Sequence, residues 1–193
     1  MNLPTTTPRF SLEQIKPIVA KATLVDLQFE INHTNARYAQ TLNDGHFNAW
    51  PNFFIENARY KIQARENHAR GLPLCIVDLE SQGMMKDRIY GITQTIFHAP
   101  YYTRHVIGQT LVLGSQDAPE LGQMLQLSLK PSTFFVSTTN YCVFRTKPGQ
   151  SSEVFNVGQY MDHWVQTPEG LKIASRHCIY DSEMILNSLI YPI

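Results

Sequence analysis

The apolar pattern changes period at Pro100, and that change limits the chain to few architectures. Downstream lie four long stretches, residues 103–113, 133–145, 154–167 and 171–180, rich in β-branched and aromatic side chains. Such residues suit the pleated surface of a strand. Pro148-Gly149 and Pro168-Glu169-Gly170 separate the last three with turns. Connections this short join antiparallel neighbours. Upstream the spacing is helical. Leu27, Ile31, Tyr38 and Leu42 share one face, Asp26 stands where it could cap that helix, and Asp44-Gly45 is suited to end it. A short helical turn through Phe47, Trp50, Phe53 and Phe54 follows, then a strand at 58–63. A second helix is expected from Ser81, with Met85, Ile89, Ile92 and Ile96 on one side. Helices first and long strands afterwards predict an α+β domain. Four such strands must twist and curl, and a helix hairpin closing one side of a curled sheet makes a cone.

Two segments are expected: an N-terminal extension over residues 1–25 and a single domain over 26–193. Within the extension, Ser11 and Gln14 form a capping-box pattern and Pro17 stops or kinks the short helix they open. At the other end, Met184, Ile185, Leu186, Leu189, Ile190, Tyr191 and Ile193 are too apolar to leave in water, so residues 184–193 are expected to be ordered. No stretch approaches the length of a membrane span, and the first residues do not form a secretory signal. Cys75, Cys142 and Cys178 are odd in number and far apart, which argues against a disulfide framework and for a reducing cytoplasm. Sixteen basic and sixteen acidic residues give a formal net charge of zero, so no basic excess favours nucleic acid. With 10 Phe, 9 Tyr and 2 Trp, a neutral surface also lacks charge repulsion against self-association.

The chemistry-bearing motifs are mostly missing. A Rieske cluster needs Cys-x-His and Cys-x-x-His, but the three cysteines are followed by Ile76-Val77, Val143-Phe144 and Ile179-Tyr180. His-Glu-x-x-His and helix-spaced histidine pairs are absent, and the glycines form neither a dinucleotide fingerprint nor a Walker loop. No catalytic, cofactor-binding or metal-ligating residue is assigned to this chain. The remaining acid–base candidates are Tyr38, Asp87, His105 and His163. For the first three the plainer reading is structural: Tyr38 in the core with its hydroxyl bonded, Asp87 beside Arg88 in a surface or interface ion pair, and His105 hydrogen-bonded on a strand.

One run of motifs carries a resemblance. In order they are Asp44-Gly45, Trp50-Pro51-x-Phe53-Phe54, Glu66-Asn67, Gly83-Met84-Met85-x-Asp87-Arg88-Ile89 and Thr103-Arg104-His105. Arg176, Asp181 and an apolar tail closing on Pro192 complete it. Each alone is weak, but their order resembles the small (beta) subunit of the aromatic-ring-hydroxylating dioxygenases, the Rieske non-haem iron oxygenases. Within that family the look is nearest to subunits serving aromatic carboxylates, of the terephthalate or salicylate type. The resemblance implies the cone-shaped, nuclear-transport-factor-2-like fold. It also implies a non-catalytic assembly role beside a large (alpha) subunit in an α3β3 hexamer, with self-association as a trimer. The [2Fe–2S] cluster and mononuclear Fe(II) would reside in that partner. The competing reading is a free-standing cone-fold dehydratase or isomerase, which would place a buried Asp–His pair in an open cavity.

Overall fold

A computed structural model describes residues 21–95, 97–117, 133–182 and 189–193. Helix α1 spans Lys21–Asn43 and buries Leu27, Ile31, Tyr38 and Leu42, the face expected from their spacing. Asp26 lies inside this helix rather than capping it. Its C-terminus is closed as expected: Gly45 takes φ +71°, its N–H donates to the Leu42 carbonyl at 3.1 Å, and the His46 N–H donates to Thr41 at 3.0 Å. This paired return of N–H groups satisfies carbonyls that the helix itself leaves free. A 3-10 turn, Phe47–Phe53, buries Trp50 and leads into β1, Phe54–Ala64. A one-turn helix α2, Arg65–Ala69, and a short strand β2, Val77–Leu79, follow. Helix α3, Gln82–Tyr90, starts where the sequence places it, with Ser81 Oγ accepting from the Met84 N–H at 3.1 Å. It runs into a π turn, Gly91–Thr95, and buries Met85, Ile89 and Ile92.

The single strand expected over 103–113 is two: β3, Tyr102–Ile107, and β4, Leu111–Asp117. The break falls at Gly108, whose N–H donates to the Asn140 carbonyl at 2.8 Å. A Cβ on Gly108 would come within 3.2 Å of that same oxygen, a tight contact that glycine avoids. Thr110 beyond it anchors α1: Asn32 accepts its N–H at 3.0 Å and Asn35 donates to its Oγ1 at 3.0 Å. The long strands are β5, Thr133–Thr146, β6, Glu153–Thr167, and β7, Gly170–Tyr180. Turns sit at the two expected sites, with Gly149 at φ +75° and Gly170 at φ +110°.

The sheet runs β2-β1-β7-β6-β5-β3, with β4 also on β5. Every pairing is antiparallel except β1 with β7, which is parallel. Register shifts between Val143 and Phe144 and between His163 and Trp164 break the ladders of the longest strands. Such bulges bend a strand and add twist. The sheet curls without closing, as the cone-shaped fold requires. Helix α1 lies against β3, and α3 against β1 and the 3-10 turn, so the two helices do not pack as the hairpin the sequence suggested. The motif at Ser11–Gln14, Pro17, Ile96 and residues 184–188 lie outside the described residues. Of the apolar tail, Pro192 and Ile193 are buried and Leu189, Ile190 and Tyr191 partly so.

Candidate functional site

Strand register builds the interior of the cone. Ser137, Asp162, Arg176 and Tyr60 form one row across β5, β6, β7 and β1, and Thr139, Tyr160, Cys178 and Ile62 form the next. Alternation turns both rows inward. Asp162 and Arg176 are each 0% exposed. Arg176 Nε donates to Asp162 Oδ1 at 2.9 Å and Nη2 to Oδ2 at 2.8 Å, a fork matched to both carboxylate oxygens. Nη2 also donates to Asn35 Oδ1 at 2.6 Å. The guanidinium carbon lies 4.3 Å from the ring centres of both Tyr38 and Tyr160 and 5.8 Å from that of Trp164. Burial raises the Asp162 pKa, and Arg176 opposes that rise. Burial in turn lowers the Arg176 pKa, but Asp162 and the flanking phenols outweigh it and hold the group cationic. The pair is thus an ionised unit, with Asn35 as a further acceptor and Nη1 left without a hydrogen-bond partner.

The mouth of the cone is filled by residues 189–193. Tyr38 Oη donates to the main-chain oxygen of Ile193 at 2.8 Å and accepts from Trp50 Nε1 at 2.9 Å. Tyr60 Oη donates to the same Ile193 oxygen at 2.9 Å and accepts the Ile193 N–H at 3.0 Å. Burial pushes both phenols well above their ordinary range, so both stay protonated donors. Tyr191 stacks on Phe47 with centroids 4.6 Å apart. Arg88 Nη2 donates to the carbonyls of Leu189 and Ile190 at 3.2 and 3.1 Å.

The four acid–base candidates therefore separate. Tyr38 is a core hydroxyl engaged with Trp50 and Ile193. Asp87 makes no ion pair among the described residues; it lines a surface groove with Arg88, and Arg88 holds the tail instead. The His105 ring bonds Asn43 Oδ1 through Nδ1 at 2.8 Å. Burial first, and then the Arg176 charge, lower its pKa to about 4. The Pro192 carbonyl opposes this without meeting Nε2 in hydrogen-bond geometry. His163 follows Asp162 on β6, so it points to the opposite face of the sheet, edge-on to Phe134. Burial lowers its pKa to about 4 as well. The buried carboxylate is thus held by an arginine and the buried imidazole by an amide; they do not form an acid–base pair. Sequence reasoning passed over Asp162. Its signal was a carboxylate alternating with Tyr160 and Trp164 on an otherwise apolar strand face.

Among the described residues, no three His, Cys, Asp or Glu side chains lie close enough to hold a metal ion, and no helix is long and apolar enough to cross a membrane. The three cysteines are unpaired.

A family model described as "Ring hydroxylating beta subunit" matches residues 37–187. The chain is 28% identical over 165 residues to the anthranilate 1,2-dioxygenase small subunit of Burkholderia cepacia, covering 86% of this chain and 93% of that one. It is 26% identical over 166 residues to the beta 1 subunit of the terminal oxygenase component of terephthalate 1,2-dioxygenase from a Comamonas species, covering 86% and 98%. A crystal structure of a beta subunit assigned to an aromatic-ring-hydroxylating dioxygenase of Novosphingobium aromaticivorans superposes with a TM-score of 0.72 at 26% identity, over 89% of this chain and 99% of that one. A nuclear-transport-factor-2-like protein with a cystatin-like fold from the same species shares the fold alone, with a TM-score of 0.57 at 15% identity, over 85% and 88%.

Proposed function

The chain belongs to the ring hydroxylating beta subunit family, and we propose on that premise that its part in the oxygenase is structural rather than chemical. Its relatives are small subunits of dioxygenases that act as complexes, so a large subunit is the partner the family implies. The observation that carries the structural reading is the state of the interior. Among the described residues the one fully buried carboxylate is taken up by Arg176, the phenols of Tyr38 and Tyr60 by Ile193, and the Nδ1 of His105 by Asn43. A general acid or base must reach substrate with a proton to exchange. The same arrangement counts against the dehydratase or isomerase reading, which needs an Asp–His pair facing open space.

The substrate class follows the relatives. Anthranilate and terephthalate are both aromatic carboxylates, and we extend that class to the oxygenase this chain serves, in aromatic catabolism. The cluster and catalytic iron belong to the large subunit, as membership of the family implies and as the lack of Cys-x-His and Cys-x-x-His pairs in this sequence supports for the cluster. The assembly is an α3β3 hexamer with a trimeric β core, in which burying extensive surface stabilises the large-subunit trimer. The domain takes residues 26–193, with 1–25 as an extension. Three unpaired thiols favour a reducing cytoplasm.

The test is co-expression with a Rieske-type large subunit, followed by light scattering, iron analysis and turnover per iron. In the assembled complex His105→Ala and His163→Ala should leave turnover per iron within about twofold, whereas losing a general base costs about 10²–10⁴-fold. A loss of that size in intact, fully metallated complex would overturn the structural reading.

A further inference from the structure

Residues 189–193 belong to no strand or helix. They are tied by separate side chains rather than a ladder: Arg88 donates to two carbonyls, the Tyr191 N–H reaches Tyr101 Oη at 3.4 Å, the Tyr191 ring packs on Phe47 and Tyr101, and Tyr38 and Tyr60 hold Ile193. One flank is open. Leu189 and Ile190 form a wall of a surface groove of about 690 Å³, facing Met84, Ile92 and the fully exposed Phe97. Backbone held by scattered contacts opens at lower free energy than backbone held in a ladder. The sheet beneath has its ladder; this strap does not.

The groups that face the Ile193 oxygen share one chemical character, while Tyr60 Oη also accepts the Ile193 N–H at 3.0 Å. Two phenol hydroxyls converge on a single oxygen at 2.8 and 2.9 Å, with the Cys178 thiol behind it at 3.8 Å. All three are donors. The rings of Trp50, Phe54 and Tyr160 pack edge-on around Tyr38 and Tyr60. In the same interior Tyr160 Oη, Arg176 Nη1 and His105 Nε2 are buried without a hydrogen-bond partner. Buried polar atoms are almost always satisfied, so unpartnered ones mark a place for further polar atoms.

We propose that the cone interior is a receptor for a small molecule bearing a carbonyl or carboxylate oxygen on an apolar body. Ile193 occupies it in cis, and residues 189–193 open as a unit while the sheet stays folded. The occupant's chemistry follows from the lining. Donors alone meet the oxygen, and aromatic walls meet the Ile193 side chain, which is 1% exposed. A molecule that enters does so in place of Ile193. Such a chamber is a minor state that a ligand can make dominant.

Cys178 reports on the opening, because it lies under Ile193 and is 0% exposed. The full chain with Cys75→Ser and Cys142→Ser keeps it as the single thiol. Its labelling by a chromogenic disulfide reagent is followed against urea, beside the global unfolding curve. Expected at low urea is a labelling rate nearly independent of denaturant, the mark of a local opening. Ile193→Gly should raise that rate about tenfold or more, and benzoate at about ten times its half-protecting concentration should slow the variant's labelling about tenfold. If Ile193→Gly does not fold, Tyr60→Phe, which removes one donor and keeps the apolar body, is read in the same way. Labelling that tracks global unfolding in every chain would overturn the strap. Faster labelling that benzoate leaves unchanged would overturn the receptor. Because the isolated chain is measured, neither failure bears on its role beside a large subunit.

Discussion

Asp162→Ala is the sharpest probe of how the interior is held together. It removes both acceptors of the Arg176 fork, at 2.9 and 2.8 Å, and leaves a guanidinium with no exposed surface and no counter-charge. Breaking a buried pair on one side costs about 3–5 kcal/mol. Arg176 would keep Asn35 at 2.6 Å and the faces of Tyr38 and Tyr160 at 4.3 Å, which places the loss in the lower half, about 3–4 kcal/mol. At a urea slope of about 2–3 kcal/mol/M, the midpoint should fall by about 1–2 M. The melting temperature should fall by about 6–16 °C for a chain of this size. The companion double variant, Asp162→Leu with Arg176→Met, removes both charges and keeps apolar volume. Replacing a buried pair in this way is often neutral or stabilising, so the double variant should lie well above the single one. Urea unfolding followed by tryptophan fluorescence reads both, since Trp164 flanks the pair. A midpoint shift below about 0.3 M for Asp162→Ala would refute the claim that the pair is ionised and desolvated.

Three further outcomes are expected. His105 is held neutral, with its pKa lowered to about 4 by burial and by Arg176. The unfolded chain then binds a proton first, and stability should be full above about pH 6.5 and fall as pH drops towards 4, by about 3 kcal/mol from this residue. His105→Gln should flatten that part of a stability–pH curve; an unchanged slope would count against the assignment. Gly158→Ala should cost more than about 3 kcal/mol or prevent folding, because a Cβ there would overlap the Ile179 carbonyl and the Tyr141 hydroxyl, and backbone cannot give way cheaply. A soluble variant with an unchanged melt would contradict it. The purified chain alone should hold no stoichiometric iron and show no iron–sulfur absorption, since it lacks the paired thiolate and imidazole ligands. About one iron per chain by elemental analysis would be decisive against this.

What was legible in the sequence follows its local physics. The face of α1, its glycine-terminated end, the Ser81 cap and the turns at Gly149 and Gly170 depend on residues a few positions apart, and all were found where expected. Asp26 misled because a capping residue is informative only if the helix begins there, and here the helix already spans it. The break between β3 and β4 escaped because the partner Gly108 bonds there, Asn140, lies 32 residues away. Asp162 and Arg176 were hidden for the same reason. Each alternates with apolar neighbours on its own strand, and only register reveals that the two charges face each other. The parallel pairing of β1 with β7 is likewise a long-range choice that no short connection signals.

That parallel pairing bears on the order in which the molecule can assemble as it is made. Strand β1 leaves the ribosome early, yet its neighbour β7 does not exist until more than a hundred residues later. The hydroxyls of Tyr38 and Tyr60 wait 155 and 133 residues for Ile193. Until then the edge of β1 that β7 will occupy has no strand beside it, although β2 already covers the other edge. Contacts so distant in sequence make folding slow and leave nascent chains open to aggregation. A newly synthesised subunit would therefore gain most from a chaperone during translation, before β7 joins β1 to β6.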